Sequence, residues 1–191
     1  LMFKGTKKFP SVYYSKYISK NGGTENAFTS FDYTDYYQIV PTEHLEKIVE
    51  LEADRMTNLT LTDEQVETEK KVILEERYQR IDSKPSAILD ESIRKSLFPN
   101  HTYGTPIIGW EHEIKALTID DVRKFYNDYY NPKNAILILS GDVSLKKAKE
   151  YSEKDFGKIK VKNQININRI KLNDPVLRTN IRINYDDENV K

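Results

Sequence analysis

The sequence predicts an α+β fold, a mostly antiparallel sheet packed with several helices, and three observations predict it. Apolar residues recur at helical spacing in several separate stretches, each opened by a capping residue and closed by Gly or Pro. Two short runs rich in Thr, Phe and Tyr stand side by side near the N-terminus and read as paired strands. Strands and helices then mix without the regular alternation of a doubly wound sheet. At 191 residues, with 38% hydrophobic and 31% charged side chains, the chain has the composition of a soluble globular protein with a real core.

Taken in order, Ser11 caps a short helix through Val12, Tyr13, Tyr17 and Ile18, which the pair Gly22-Gly23 ends. Residues 25–30 and 34–40 are the two strands, joined at 31–33. Pro41-Thr42 opens a helix with apolar positions Leu45, Ile48, Val49, Met56 and Leu59. Thr62 and Gln65 form a capping box for a long helix reaching about Ile81. Pro85 stands in the first turn of a helix over 86–97, closed by Pro99, and residues 101–112, with Gly104, Pro106 and Gly109, read as a loop. Thr118 and Asp121 cap a helix carrying Val122, Phe125, Tyr126 and Tyr129 that ends near Asn131-Pro132. The apolar run 135–139 reads as a buried strand, and Ser140-Gly141-Asp142 leads from it into a Lys-rich helix ended by Gly157. Beyond Lys158, Ile165, Ile167, Ile170, Ile181, Ile183 and Tyr185 suggest one or two further strands. The expected division is therefore a domain over 1–157 and a linker with strands over 158–191.

Thirty basic and thirty acidic side chains cancel, so no bulk charge draws the chain to nucleic acid or an anionic membrane. The 13 tyrosines lack the basic groove that single-strand binding needs beside its stacking rings. With no cysteine, any metal must be held by His, Asp or Glu. No apolar run has the length of a membrane span. The compartment is left open.

The helix expected over 62–81 carries the most informative anomaly. At about 100° per residue, Val66, Val72 and Ile73 define an apolar stripe, and Glu69 and Glu76 fall inside it while Glu75 points away. Two carboxylates on a face meant for burial, roughly two turns apart, call for compensation. A metal would supply it, or a histidine bound to one; so would salt bridges, to Arg55 or Arg80.

Several segments resemble, in order and spacing, the pitrilysin/insulinase family of zinc metallopeptidases, closest to its mitochondrial-processing-peptidase-like branch. Leu1-Met2-Phe3-Lys4-Gly5-Thr6 is similar to the segment that follows the family's inverted motif H-x-x-E-H. Gly22-Gly23, Asn26-Ala27-Phe28-Thr29 and Thr34-Asp35-Tyr36 resemble its glycine pair and first strands, and Glu69 to Glu76 its E-x(6)-E element. Tyr103-Gly104-Thr105-Pro106, Tyr129-Tyr130-Asn131-Pro132-Lys133-Asn134 and Gly141-Asp142-Val143 follow in family order.

The resemblance implies a zinc endopeptidase domain in which two His and a distant Glu hold Zn2+ and a further Glu activates the bound water. It assigns Glu76 as the third metal ligand and Glu69 as the carboxylate that supports the site. Asn26, Ala27, Phe28 and Thr29 become the strand edge to which a peptide substrate adds. A second homologous half, or a partner subunit, would close the chamber. His44, His101 and His112 are the only histidines and none stands in H-x-x-E-H, so that motif is expected directly before Leu1 and residues 1–191 alone are expected to be inactive. The alternative is a non-catalytic scaffold of the same fold.

Overall fold

The computed structural model of the chain describes residues 1–10, 12–160 and 182–186. They form two compact units, one of Leu1–Phe28, Thr34–Val66 and the chain from Thr118, the other of Thr29–Tyr33 and Glu67–Leu117 with the C-terminal residues. The architecture is α+β and rich in helix, with a small two-stranded sheet.

In the first unit, α1 (Tyr13–Lys20) starts after Val12, whose φ of 70° is a left-handed conformation that a β-branched residue adopts only at a cost. Ser11, the expected cap, lies outside the described residues. Gly22, at φ 72°, turns the chain out of α1 into β1 (Thr24–Thr29), which pairs with β2 (Thr34–Ile39). Glycine is required at 23, because a Cβ there would stand 2.8 Å from the Ile39 carbonyl oxygen. A 3-10 turn over Thr42–His44 leads into α2 (Leu45–Asn58), whose inner face buries Ile48, Val49 and Leu51. Phe9, Tyr14, Ile18, Ile48 and Leu51 make the core, with Phe3, Tyr17 and Val40 packed against it. α6 (Ile119–Tyr129) opens on a full capping box of Thr118 and Asp121, and α7 (Leu145–Asp155), capped by Ser144, packs on α2 with Lys154 paired to Glu46 at 2.5 Å.

The long helix α3 (Asp63–Arg77) ends in a π turn over Tyr78–Asp82, and α4 (Pro85–Leu97) begins with proline in its first turn, as the sequence predicts. In the second unit α4 packs against that π turn and against the 3-10 turn Thr102–Gly104. Tyr103 donates to Asp32 at 2.6 Å and packs its ring 4.9 Å from Phe31. Gly104 is buried so close to the chain that a Cβ would lie 2.3 Å from the Phe98 carbonyl oxygen.

Two expectations need correction. Residues 111–116, read partly as loop, form the short helix α5 (Glu111–Ala116), which buries Ile114. Residues 135–139 have no regular structure and are neither buried nor paired among the described residues: Ile136 is 89% exposed and Ile138 79%. Composition announces what such a run needs, but a ladder partner is not a local property. Of the C-terminal strands, Ile183 and Tyr185 lie in a stretch without regular structure. Ile165, Ile167, Ile170 and Ile181 lie outside the described residues.

Candidate active site

The capping box at the start of α3 forms as the spacing implies. The Thr62 amide donates to Gln65 Oε1 at 3.1 Å, and the Gln65 amide to Thr62 Oγ1 at 3.2 Å. This fixes the helix rotation, and the face actually covered differs from the expected stripe. Val66 and Arg77 are buried, Ile73 is half-buried, and the Lys70 side chain is largely covered. Val72 is 54% exposed. The axis of the covered face therefore runs through Val66, Ile73 and Arg77. Glu69 and Glu76 flank it and are half-buried rather than central.

Glu76 keeps 42% of its side-chain surface in solvent and pairs with Arg80 at 3.1 Å, one of the two partners open from the sequence. Glu75 is exposed and accepts from Gln79 at 2.7 Å, so the two neighbouring carboxylates do occupy different environments.

The residue that sequence reasoning missed is Arg77. Its guanidinium forks onto Glu91, with Nη1 to Oε1 and Nη2 to Oε2 both at 2.9 Å. It also donates to the Gly109 carbonyl at 2.9 Å, lies 3.2 Å from Asp82, and sits 5.9 Å from the Trp110 ring. The hydrogen bond to Glu91 raises its already high pKa, against the opposing effect of burial. The signal was present: Arg77 stands four residues after Ile73 and eleven after Val66, on the same helical face. Arg77 thus ties the end of the helix that carries Glu69 and Glu76 to α4 and the loop before Trp110.

In β1, Glu25 and Ala27 are half-buried while Asn26, Phe28 and Thr29 face solvent. One side of β1 pairs with β2, leaving the other edge without a strand among the described residues. Asn26 Oδ1 accepts from the Ala27 amide at 2.8 Å, a local bond that an incoming peptide carbonyl could replace. Asn26, Ala27, Phe28 and Thr29 thus lie on a strand that pairs with β2 on one side.

Two of the three histidines are otherwise engaged. Tyr17 OH and His44 Nδ1 are 2.9 Å apart, His101 Nδ1 accepts from the Tyr103 amide at 3.0 Å, and His112 is exposed on α5. Among the described residues, no three His, Cys, Asp or Glu side chains are placed to hold one metal ion. Glu76 with Glu69 is therefore at most a partial donor set, and these residues do not fit zinc unaided. A cleft of about 350 Å³ in the first unit is lined by Lys8, Glu50, Asp54, Asp155 and Lys158 and contains none of the expected site residues. No helix of the described residues is long and apolar enough to cross a membrane.

Residues 1–111 match the family model described as insulinase (peptidase family M16), and residues 116–191 match the model of the peptidase M16 inactive domain. The zinc protease PqqE of Helicobacter pylori is 36% identical over 160 residues, which are 84% of this chain and 36% of that protein. A crystal structure of a protease from Helicobacter pylori superposes with a TM-score of 0.77 at 34% identity, covering 87% of this chain and 41% of the other. A probable mitochondrial-processing peptidase subunit beta of Schizosaccharomyces pombe is 28% identical over 157 residues, 82% of this chain and 34% of that protein. The chain thus spans about a third of the length of these curated relatives.

Proposed function

Because the chain belongs to the insulinase family, peptidase family M16, we propose that the whole protein is a zinc-dependent endopeptidase acting on peptides or extended polypeptides. In this reading residues 1–191 supply one metal ligand, Glu76, with Glu69 supporting it, and the docking edge Asn26, Ala27, Phe28 and Thr29. The remaining ligands and the general base belong to an H-x-x-E-H motif directly before Leu1. A second homologous half, in the same chain or on a partner subunit, closes over the peptide. The match of residues 116–191 to the inactive-domain model supports the idea of a second half.

The observation that carries the reading is the contrast within one helix turn: Glu76 is half-buried beside the covered face of α3, whereas Glu75 is exposed. The scaffold reading has its own support, since Arg80 already pairs with Glu76 and no cation is needed to balance it. Three variants of the full-length protein separate the two. Glu76→Gln keeps the shape, loses the charge of the third ligand, and is expected to abolish most peptidase activity and zinc content. Glu69→Gln should lose roughly 10–100-fold, as changes behind a metal ligand do. Glu75→Gln should be nearly silent. Peptide-cleavage assays with metal analysis measure the ranking; equal activity of the Glu76 and Glu75 variants would leave the scaffold in possession.

A further inference from the structure

Arg55 of α2 is 5% exposed, and its charge is enclosed by rings from three different parts of the first unit. The guanidinium carbon lies 4.4 Å from the ring centroid of Tyr36, 5.0 Å from Phe3 and 5.5 Å from Tyr14. Its Nη2 donates to Glu52, which also accepts from Tyr14 OH and, at 3.0 Å, from Gln38 Nε2. Nε and Nη1 are buried with no hydrogen-bond acceptor among the described residues, so the aromatic faces are what balance that side of the charge. Tyr36 and Gln38 belong to β2, the ladder partner of the β1 edge, and the Tyr36 and Tyr130 hydroxyls are 2.6 Å apart. Phe3 belongs to residues 1–6, the segment expected to follow the zinc motif, and its ring meets that of Tyr36 edge-on at 6.1 Å.

A buried arginine is a costly way to fill a core, and methionine or leucine would fill the same volume. What arginine adds is a rigid plane whose position fixes every group stacked on it or bonded to its partner carboxylate. The geometry points to Arg55 as a positioning residue for peptide docking: it locks the hairpin that carries the docking edge against α2 and residues 1–6. A locked edge is ordered before the peptide arrives, whereas a loose one must be ordered by binding, which weakens affinity. This inference rests on the reading of Asn26 to Thr29 as the docking edge.

The test uses the full-length protein, a cleavable extended peptide and a nonhydrolysable analogue of it. Arg55→Lys keeps the charge but has neither the plane nor the fork; it should raise both KM and the Kd of the analogue about tenfold, with kcat within about twofold of the parent. Gln38→Met, which frees only the β2 link to Glu52, should raise both about threefold, and it decides the matter if the Arg55 variant does not fold. Tyr126→Phe is the control: its hydroxyl donates to the Arg55 carbonyl at 2.7 Å and accepts from the Leu59 amide at 3.0 Å, away from β2. It should lower Tm and leave KM unchanged. The proposal is overturned if Arg55→Lys, or Gln38→Met in its place, behaves like that control. Amide exchange of residues 24–29 in the unaltered protein isolates the premise. Protection by the analogue upholds the docking edge whatever the variants do; no protection removes the docking edge and this proposal together.

Discussion

Among the described residues each unit buries one arginine at 5% exposure, and the two are held by opposite means. Arg77 is met by acceptors: a forked pair of bonds to Glu91, the carboxylate of Asp82 and a backbone carbonyl. Arg55 is met mostly by rings and shares its single carboxylate, Glu52, with Tyr14 and Gln38. Burial raises the pKa of Tyr14 and Tyr36 well above the usual phenol range, with Glu52 and the Tyr130 hydroxyl respectively adding to it, so these rings stay neutral beside the cation. A fork specifies one geometry between two groups. A cage specifies the mutual arrangement of several elements and tolerates the loss of any one. The two should therefore fail differently.

The largest expected effect is at the fork. Arg77→Met leaves the Glu91 carboxylate covered and without its two guanidinium bonds, and should cost about 3–5 kcal/mol in urea unfolding. Arg77→Lys should recover less than half of that, because a point charge cannot satisfy both oxygens. At the cage, Arg55→Met should cost only about 1–2 kcal/mol, since Glu52 keeps two donors and a thioether packs well among rings. Equal costs at the two sites would erase the distinction. Thr118→Ala provides a yardstick from a purely local motif, removing the capping box of α6 for about 1 kcal/mol.

The smallest effect belongs to a partly exposed cluster. Glu50 accepts from Lys8 at 2.6 Å and Lys47 at 2.7 Å, and the Lys47 hydrogen bond, then that of Lys8, holds its pKa below the usual carboxylate range. A lowered carboxylate pKa stabilises the fold above the unfolded value, and that contribution is lost as pH falls through the folded one. Exposure and salt discount it to about 0.5 kcal/mol. Glu50→Gln should therefore shift the urea midpoint slightly at neutral pH and not at all once the carboxylate of the parent is protonated.

What was legible in the sequence follows the range of the interactions involved. The capping boxes at Thr62 and Thr118, proline at the start of α4 and the hairpin each depend on residues three or four apart, and each stands where it was read. The apolar stripe expected on α3 differs from the covered face because it includes Val72, which is exposed, and leaves Arg77 out of account, whose fork onto Glu91 lets an arginine stand in the core. Glu76 was singled out from Glu75, and they do differ in exposure, but the ion pair with Arg80 was left as one option of two. The cage of Arg55 is not a local property, since its partners lie as far away in sequence as Phe3, and Tyr130 joins it through Tyr36.

The run at 135–139 bears on how the chain behaves before it is fully assembled. Ile136 and Ile138, with Leu137 between them, present bare hydrocarbon and, among the described residues, have no ladder partner. That combination is a template for intermolecular pairing. Two molecules that meet through these residues would associate at a rate rising with the square of concentration, in competition with any first-order covering of the same edge. Crowded, rapid synthesis would favour the wrong encounter and dilute, slow synthesis the right one, so at this exposed run the yield of native protein would turn on a race between reaction orders.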